Sequence, residues 1–373
     1  MDLNKTVLKQ NHSEKKALIA MSGGVDSSVA ALMMQEEGYA CMGVTMKLYE
    51  TKEEETIGRQ TCCALSDVED ARSVACHLGM PYYVFNMKVE FKTHVVDRFV
   101  EDYENGRTPN PCINCNRYLK FESLYRRAAE LGCDFIVTGH YARIGYDEKI
   151  GRYQLKKAVD ESKDQSYVLY SLTQEQLAHT AFPLGAFTKT EIRKIAEYHN
   201  LGNANKRESQ DICFIPDGNY AKFIREYTGK KYPLGDFKDF DGKVLGQHRG
   251  IINYTIGQRK GLGIASTQPL YVCQINLTDN EILLGEKDQL SCKTLLAKDF
   301  NWISIARPTE EISVMARTRY HQEERQATAR VKADGNVEIS FADPAGAVAP
   351  GQAIVLYQGD LVLGGGTIFE IYS

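Results

Sequence analysis

Three clusters of residues carry the chemistry open to this chain. The first is Ala20-Met-Ser-Gly-Gly-Val-Asp-Ser-Ser28, a glycine-rich turn between an apolar run and a helical pattern. Gly23 and Gly24 let the backbone approach a ligand closely, Ser22, Ser27 and Ser28 offer hydroxyl donors, and the helix N-terminus offers unpaired amides to an anion. That is the chemistry of a phosphate site, and because no lysine completes the loop it is not a Walker A sequence. The second cluster is Thr108-Pro-Asn-Pro-Cys-Ile-Asn-Cys-Asn116. Its prolines fix an extended turn that sets Cys112 and Cys115 just ahead of a helix predicted from about Arg117, where exposed amides favour thiolate. The third, Glu208-Ser-Gln-Asp-Ile-Cys-Phe-Ile215, carries Cys213 in a polar loop. As a bare pattern, Cys-x-x-Cys is equally half of a zinc site, a redox pair or a coincidence.

These clusters need elements to position them. Lys16 to Met21, Ala40 to Met46, Tyr82 to Asn86 and Asp134 to Thr138 read as buried strands. Helical spacing runs from Ser28 toward Gly38, from Leu65 to Leu78, from Arg117 to Leu131 and from Thr188 to Asn200. Strands alternating with helices predict an α/β fold with a doubly wound parallel sheet. Ligands of such sheets bind beyond the carboxyl ends of the strands, where the Ser22 loop, Met46 and Gly139-His140 all emerge. A hairpin from Tyr141 to Lys157 leads to Lys163-Asp-Gln-Ser166, predicted as an exposed loop. The charged stretch from Lys47 to Gln60 reads as a mobile loop. From Gly218 the texture becomes glycine-punctuated, and beyond Leu290 short alternating runs predict a small β-barrel. The expected domains are an N-terminal extension at 1–15, a catalytic α/β domain at 16–216, a central domain at 217–289 and the barrel at 290–373.

Bulk properties narrow the classes. The chain has 373 residues, more than one core usually supports, and a net charge of −4, with a pI near 6.1; that excludes a strongly basic nucleic-acid coat and leaves local basic surfaces open. No signal-peptide core and no membrane-spanning run is present in the sequence, so a cytoplasmic protein without a membrane partner is expected; a monomer is expected as well. Its ten cysteines then point to thiol chemistry or metal binding rather than to a disulfide framework. Cys41, Cys76, Cys133, Cys273 and Cys292 read as structural, and the adjacent Cys62-Cys63 cannot bridge each other without strain.

The order and wording of the motifs reach a family. Ser22-Gly-Gly-Val-Asp-Ser27 resembles the pyrophosphate loop of enzymes that split ATP into AMP and pyrophosphate. Together with Thr108-Pro-Asn-Pro111, Cys115-Asn116, Gly139-His140-Tyr141, Lys163-Asp164-Gln165-Ser166, Ser209-Gln-Asp-Ile-Cys213 and Tyr254-Thr-Ile-Gly-Gln-Arg-Lys-Gly261, it resembles the bacterial tRNA-specific 2-thiouridylase family from about Lys16 to Tyr372. The resemblance implies a PP-loop ATPase fold of the adenine-nucleotide α-hydrolase type. It also implies a sulfurtransferase that adenylates the C2 oxygen of the wobble uridine, position 34, of lysine, glutamate and glutamine tRNAs and replaces it with sulfur.

By that resemblance Ala20, Met21, Ser22, Gly23, Gly24, Val25, Asp26, Ser27, Met46 and Gly139 hold ATP, with Mg²⁺ on its phosphates. Cys115 is the nucleophile and Cys213 carries a persulfide, the two ending as a disulfide. Asn110, Pro111 and Cys112 face the target base, and His140, Lys163, Asp164, Gln165, Arg319, Tyr320 and Gln352 contact the tRNA. A cysteine desulfurase or sulfur-relay protein is the implied sulfur donor. Cys112 departs from those members that carry aspartate after Asn-Pro. Three thiolates in one pocket then leave a [4Fe-4S] cluster on Cys112, Cys115 and Cys213 open beside the persulfide route. Two other classes share parts of the pattern. An amide-forming ligase would share the Ser22 loop without explaining the cysteines, and a non-catalytic tRNA-binding or sulfur-carrier protein would leave that loop without a purpose.

Overall fold

Ala17, Leu18 and Ile19 are buried in succession within Lys16–Ala20, here β1, which is how a strand reads when both of its faces are covered. In the computed structural model, which describes residues 14–50, 65–204, 206 and 212–372, β1 is flanked by Ala40–Lys47 (β2) and then by Tyr82–Asn86 (β3). On its other side lie Phe135–Val137 (β4) and a short strand, Thr180–Ala181. All five are parallel, in the order β3, β2, β1, β4 and Thr180–Ala181. Val25–Glu36 (α1) returns from β1 with Val25, Val29, Ala30, Ala31, Leu32 and Met34 buried. It shares a core with Ile19, Met21, Val137, Leu184, Ile192 and Leu201.

The chain divides into two compact units. The first comprises Met1–Phe91, Asn116–Ser166 and Thr173–Pro216; the second comprises Lys92–Cys115, Tyr167–Leu172 and Asp217–Ser373. The first contains the parallel sheet and the antiparallel hairpin Ala142–Asp147 with Arg152–Lys157. The second contains a four-stranded sheet in the order Tyr271–Asn276, Glu281–Gly285, Gly235–Lys238, Val244–His248, packed around Phe237, Tyr254, Val272 and Ile282. It also contains six strands between Ser291 and Tyr372 that close into a barrel, because Ser291–Trp302 pairs with both Val337–Gly346 and Leu361–Tyr372. The barrel's interior is filled by small and branched side chains, Ala297, Ala316, Ala329, Ile339, Ile354 and Leu356 among them. The fold class expected from the sequence is the one observed.

One boundary differs from expectation. The helix around the paired cysteines starts at Pro111, not at Arg117: Asn110 is its N-cap, with Oδ1 accepting from the Cys112 amide at 3.2 Å, and Pro111 occupies the first position. A proline there gives up an amide that would be unpaired anyway, so it starts a helix rather than blocking one. The winding continues as a π-helix over Cys115–Ser123 and an α-helix over Leu124–Glu130. Four features of the sequence lie outside the described residues: the extension before residue 14, the charged loop from Thr51 to Gln60, Cys62-Cys63, and Ser209-Gln-Asp211.

Candidate functional site

The Ser22 loop is packed backbone to backbone. Gly23 has φ +72°, and a Cβ there would lie 2.4 Å from the Asp67 carbonyl oxygen, so only glycine fits. Gly24 caps α1 without any side-chain bond to the first amides, which leaves them for an anion. Ser27 Oγ donates to the Gly24 carbonyl at 3.0 Å and accepts from the Ser22 amide at 3.1 Å, while Ser28 Oγ donates to the same carbonyl at 3.1 Å. From the opposite side the buried Asn203 donates to the Gly23 carbonyl at 3.0 Å and to Ser28 Oγ at 2.8 Å. A Cβ on Gly139 would stand 2.8 Å from the Ser27 nitrogen, so the β4 exit presses directly on the loop. At the β1–β2 seam Thr45 Oγ1 donates to the Met21 carbonyl and receives the Tyr82 hydroxyl, each at 2.7 Å. Met46 sits next along β2, half-buried.

The loop's carboxylate is already engaged. Lys189 Nζ reaches Asp26 Oδ1 at 2.7 Å and Oδ2 at 2.8 Å, and the Tyr141 hydroxyl donates to Oδ1 at 2.7 Å. Lys189 is the first residue of helix Lys189–Tyr198, whose start is fixed by a reciprocal Thr188–Glu191 capping box. Sequence reading named Tyr141 within a motif and missed Lys189 and Asn203. The capping box is visible locally, but nothing near Lys189 in sequence announces a partner 163 residues away.

His140 is buried between Phe121 and Phe182. Its Nδ1 lies 2.7 Å from Thr138 Oγ1 and its Nε2 lies 3.3 Å from Lys120 Nζ. An ammonium can only donate, so Nε2 is the acceptor and Nδ1 carries the proton. Burial, reinforced by the Lys120 charge, holds the imidazole pKa well below its usual value. Among these groups Lys120, half-buried, stands nearer solvent than His140.

The Lys163 loop was expected to be exposed, and Asp164 is not. Its carboxylate turns inward, accepting the Ala158 and Ser166 amides at 3.1 and 3.2 Å and the Ser166 hydroxyl at 2.8 Å. A carboxylate two residues before a backbone amide and a serine closes this turn locally. Gln165 pairs both ways with the Tyr141 backbone, each bond 2.9 Å, and Lys163 stays partly exposed in a one-turn helix. Cys213 is half-buried in a turn closed by the Ile215 amide on the Ile212 carbonyl at 2.8 Å.

In the second unit Cys112 is exposed and Cys115 half-buried. Gln352 Nε2 donates to the carbonyls of Thr108 and Pro109 at 2.8 and 3.3 Å, and the Thr108 amide donates to Pro350 at 2.8 Å. The barrel thus holds the loop that carries Asn110 and Pro111. Arg319 Nη2 donates to the Ile256 carbonyl at 2.9 Å, and burial lowers the guanidinium pKa. Tyr320 lies 6.0 Å, ring to ring, from the buried Tyr167. Arg319 and Gln352 therefore brace two loop backbones. Among the described residues no three Cys, His, Asp or Glu side chains gather as a metal site, and no helix is long and apolar enough to cross a membrane.

Three family models match the chain: the tRNA methyl transferase HUP domain over residues 15–217, the tRNA methyl transferase PRC-barrel domain over 221–286, and the aminomethyltransferase beta-barrel domain over 292–368. Proteins described as tRNA-specific 2-thiouridylase MnmA are similar over nearly the whole length. The protein from Lachnoclostridium phytofermentans is 49% identical over 95% of this chain and 100% of its own. That from Acetivibrio thermocellus is 50% identical over 95% and 99%, and that from Clostridioides difficile is 47% identical over 95% and 98%. Solved structures are more distant. A 4-thiouridine synthetase in complex with RNA and ATP covers 58% of this chain and 51% of its own at 18% identity, with a TM-score of 0.36.

Proposed function

The chain belongs to the tRNA-specific 2-thiouridylase family, and from that premise we propose that it uses ATP to replace the C2 oxygen of uridine 34 in lysine, glutamate and glutamine tRNAs with sulfur, in the cytoplasm. The observation that carries the reading is the cradle at the start of α1. Gly23 and Gly139 permit backbone contacts with Asp67 and with Asp26–Ser27 that a Cβ would forbid, and the first turn of α1 takes no side-chain cap bond, which leaves its amides to an anion. Such a cradle suits the pyrophosphate leaving group.

In this account the uridine O2 attacks the α-phosphorus of ATP, the bond to pyrophosphate breaks, and C2 becomes the electrophile. The outer sulfur of a Cys213 persulfide bonds to C2, and AMP departs with the former oxygen. The Cys115 thiolate then attacks the Cys213 sulfur. The S–S bond breaks, the sulfur stays on the base, and a Cys115–Cys213 disulfide remains for an external thiol reductant. Cysteine desulfurase chemistry, direct or relayed, supplies the persulfide. Lys163, Tyr320 and the faces around His140 and Gln352 serve the tRNA. Asp26 is engaged by Lys189 and offers Mg²⁺ no free carboxylate; the positive charge supplied beside the loop is Lys189. Cys112, exposed at the second position of its helix, is the residue that separates a cluster route from a persulfide route.

The experiment is thiolation of unmodified tRNA by the purified chain with ATP, a cysteine desulfurase and L-cysteine. AMP, pyrophosphate and 2-thiouridine should form together and depend on tRNA. AMP formed without tRNA from a small acid and ammonia would instead assign the chain to the amide-forming ligases.

A further inference from the structure

A hydroxyl from the segment that follows β2 holds the Cys213 backbone. Tyr49, two residues beyond β2, donates from its hydroxyl to the Cys213 carbonyl at 2.6 Å, across 164 residues of sequence. Its ring lies 5.9 Å from that of Phe91, and the buried Phe91 meets Phe214 edge-on at 5.5 Å. The residue after the cysteine is therefore clamped as well. Behind it Ile215 is buried and closes the turn onto Ile212. A carbonyl fixed by a hydrogen bond fixes the peptide plane that follows Cys213, and with it the direction in which the thiol is presented. Only Lys47 and Leu48 separate Tyr49 from Met46, and Leu48 is buried, so a shift at the end of β2 is passed to that carbonyl through a short, packed segment.

We propose that Tyr49 is a positioning residue for Cys213, its hydroxyl setting the cysteine's presentation so that sulfur delivery is matched to nucleotide activation at the end of β2. The proposal rests on the thiouridylase reading for its chemistry, while its geometry stands independently.

Tyr49→Phe removes one oxygen and keeps the ring, and two readouts follow from it. Adenylated uridine that meets no sulfur is hydrolysed by water at C2, expelling AMP and restoring uridine, so with ATP, unmodified tRNA, a cysteine desulfurase and L-cysteine the yield of 2-thiouridine per AMP should fall about fivefold, the change in population that losing one ordinary hydrogen bond produces. The rate at which iodoacetamide alkylates Cys213, read by peptide mass spectrometry, should change by a similar factor in the absence of any substrate. A purely structural role would instead lower AMP and thiolated base together, with the melting temperature. Tyr49→Leu, which also removes the ring, provides that comparison. An unchanged yield per AMP and unchanged alkylation in Tyr49→Phe would overturn the proposal, as would a loss confined to Tyr49→Leu. If the unaltered protein makes neither AMP nor 2-thiouridine, the thiouridylase reading fails, and the alkylation rate still decides the role of Tyr49.

Discussion

Lys189 grips both carboxylate oxygens of Asp26, at 2.7 and 2.8 Å, and so ties the phosphate loop to the start of a helix far along the chain. A loop without its own lysine has acquired one from elsewhere in the fold. Lys189 is largely withdrawn from water and Asp26 partly so, so the pair is screened less than a fully exposed ion pair.

Lys189→Met should leave Asp26 with Tyr141 alone and cost about 2–4 kcal/mol of stability, the range for one charge of a partly buried pair left unmatched. Because the loop's geometry is lost with it, tRNA-dependent AMP formation should fall about 100-fold. Chemical denaturation and AMP release by the same preparation check both. An additional Asp26→Asn change should recover part of the stability and none of the activity.

Gly139→Ala should act on the nucleotide step almost alone. The added methyl would meet the Asp26 carbonyl carbon and the Ser27 nitrogen, both at 2.8 Å, and overpacking of this kind costs about 1–3 kcal/mol. ATP affinity measured by calorimetry should fall, while alkylation of Cys213 is unchanged.

His140 gives stability a pH dependence of known sign. Its native pKa is well below 6.5, so below about pH 6.5 the unfolded chain takes up a proton that the native state does not. Stability therefore rises with pH through the interval from the native pKa to about 6.5, and it is lost on acidification. The slope contributed by this one group approaches about 1.4 kcal/mol per pH unit. His140→Gln should flatten the curve by that amount, with His248, also lowered by burial, supplying a residual slope of the same sign. Urea denaturation at pH 5.5 and 7.5 measures the difference.

Cysteine substitutions separate the sulfur routes. Under the persulfide account Cys112→Ser keeps most thiolation, Cys115→Ser releases AMP but leaves the base joined to Cys213 through the S–S bond, and Cys213→Ser releases pyrophosphate, with AMP only as water attacks the adenylated C2. Iron and acid-labile sulfide per chain, measured after anaerobic purification, provide the other arm. Stoichiometric iron that tracks activity and disappears in Cys112→Ser would replace the persulfide account with a cluster.

What could be read in advance was local. The step from β1 through the glycines into α1 is a contiguous pattern of buried strand, turn and helix, and the barrel's alternating runs follow from a two-residue period. The start of the Cys112 helix was misread because Pro111 resembles a break when it is in fact a first helical residue. Asp164 looked like a loop charge, and only the fold shows the Ala158 amide waiting for it. The partners of Asp26, Gly23 and Cys213, namely Lys189, Asn203 and Tyr49, come from distant segments. No propensity or spacing encodes such pairings.

The most direct test of the central claim is a single-turnover reaction of the purified chain with ATP and unmodified glutamate tRNA, with a cysteine desulfurase and L-cysteine as the sulfur source. AMP and 2-thiouridine are quantified from the same samples. The account predicts that both appear in equal amounts, only when tRNA is present, with the sulfur at position 34. AMP released without tRNA, or 2-thiouridine formed without AMP, would contradict it.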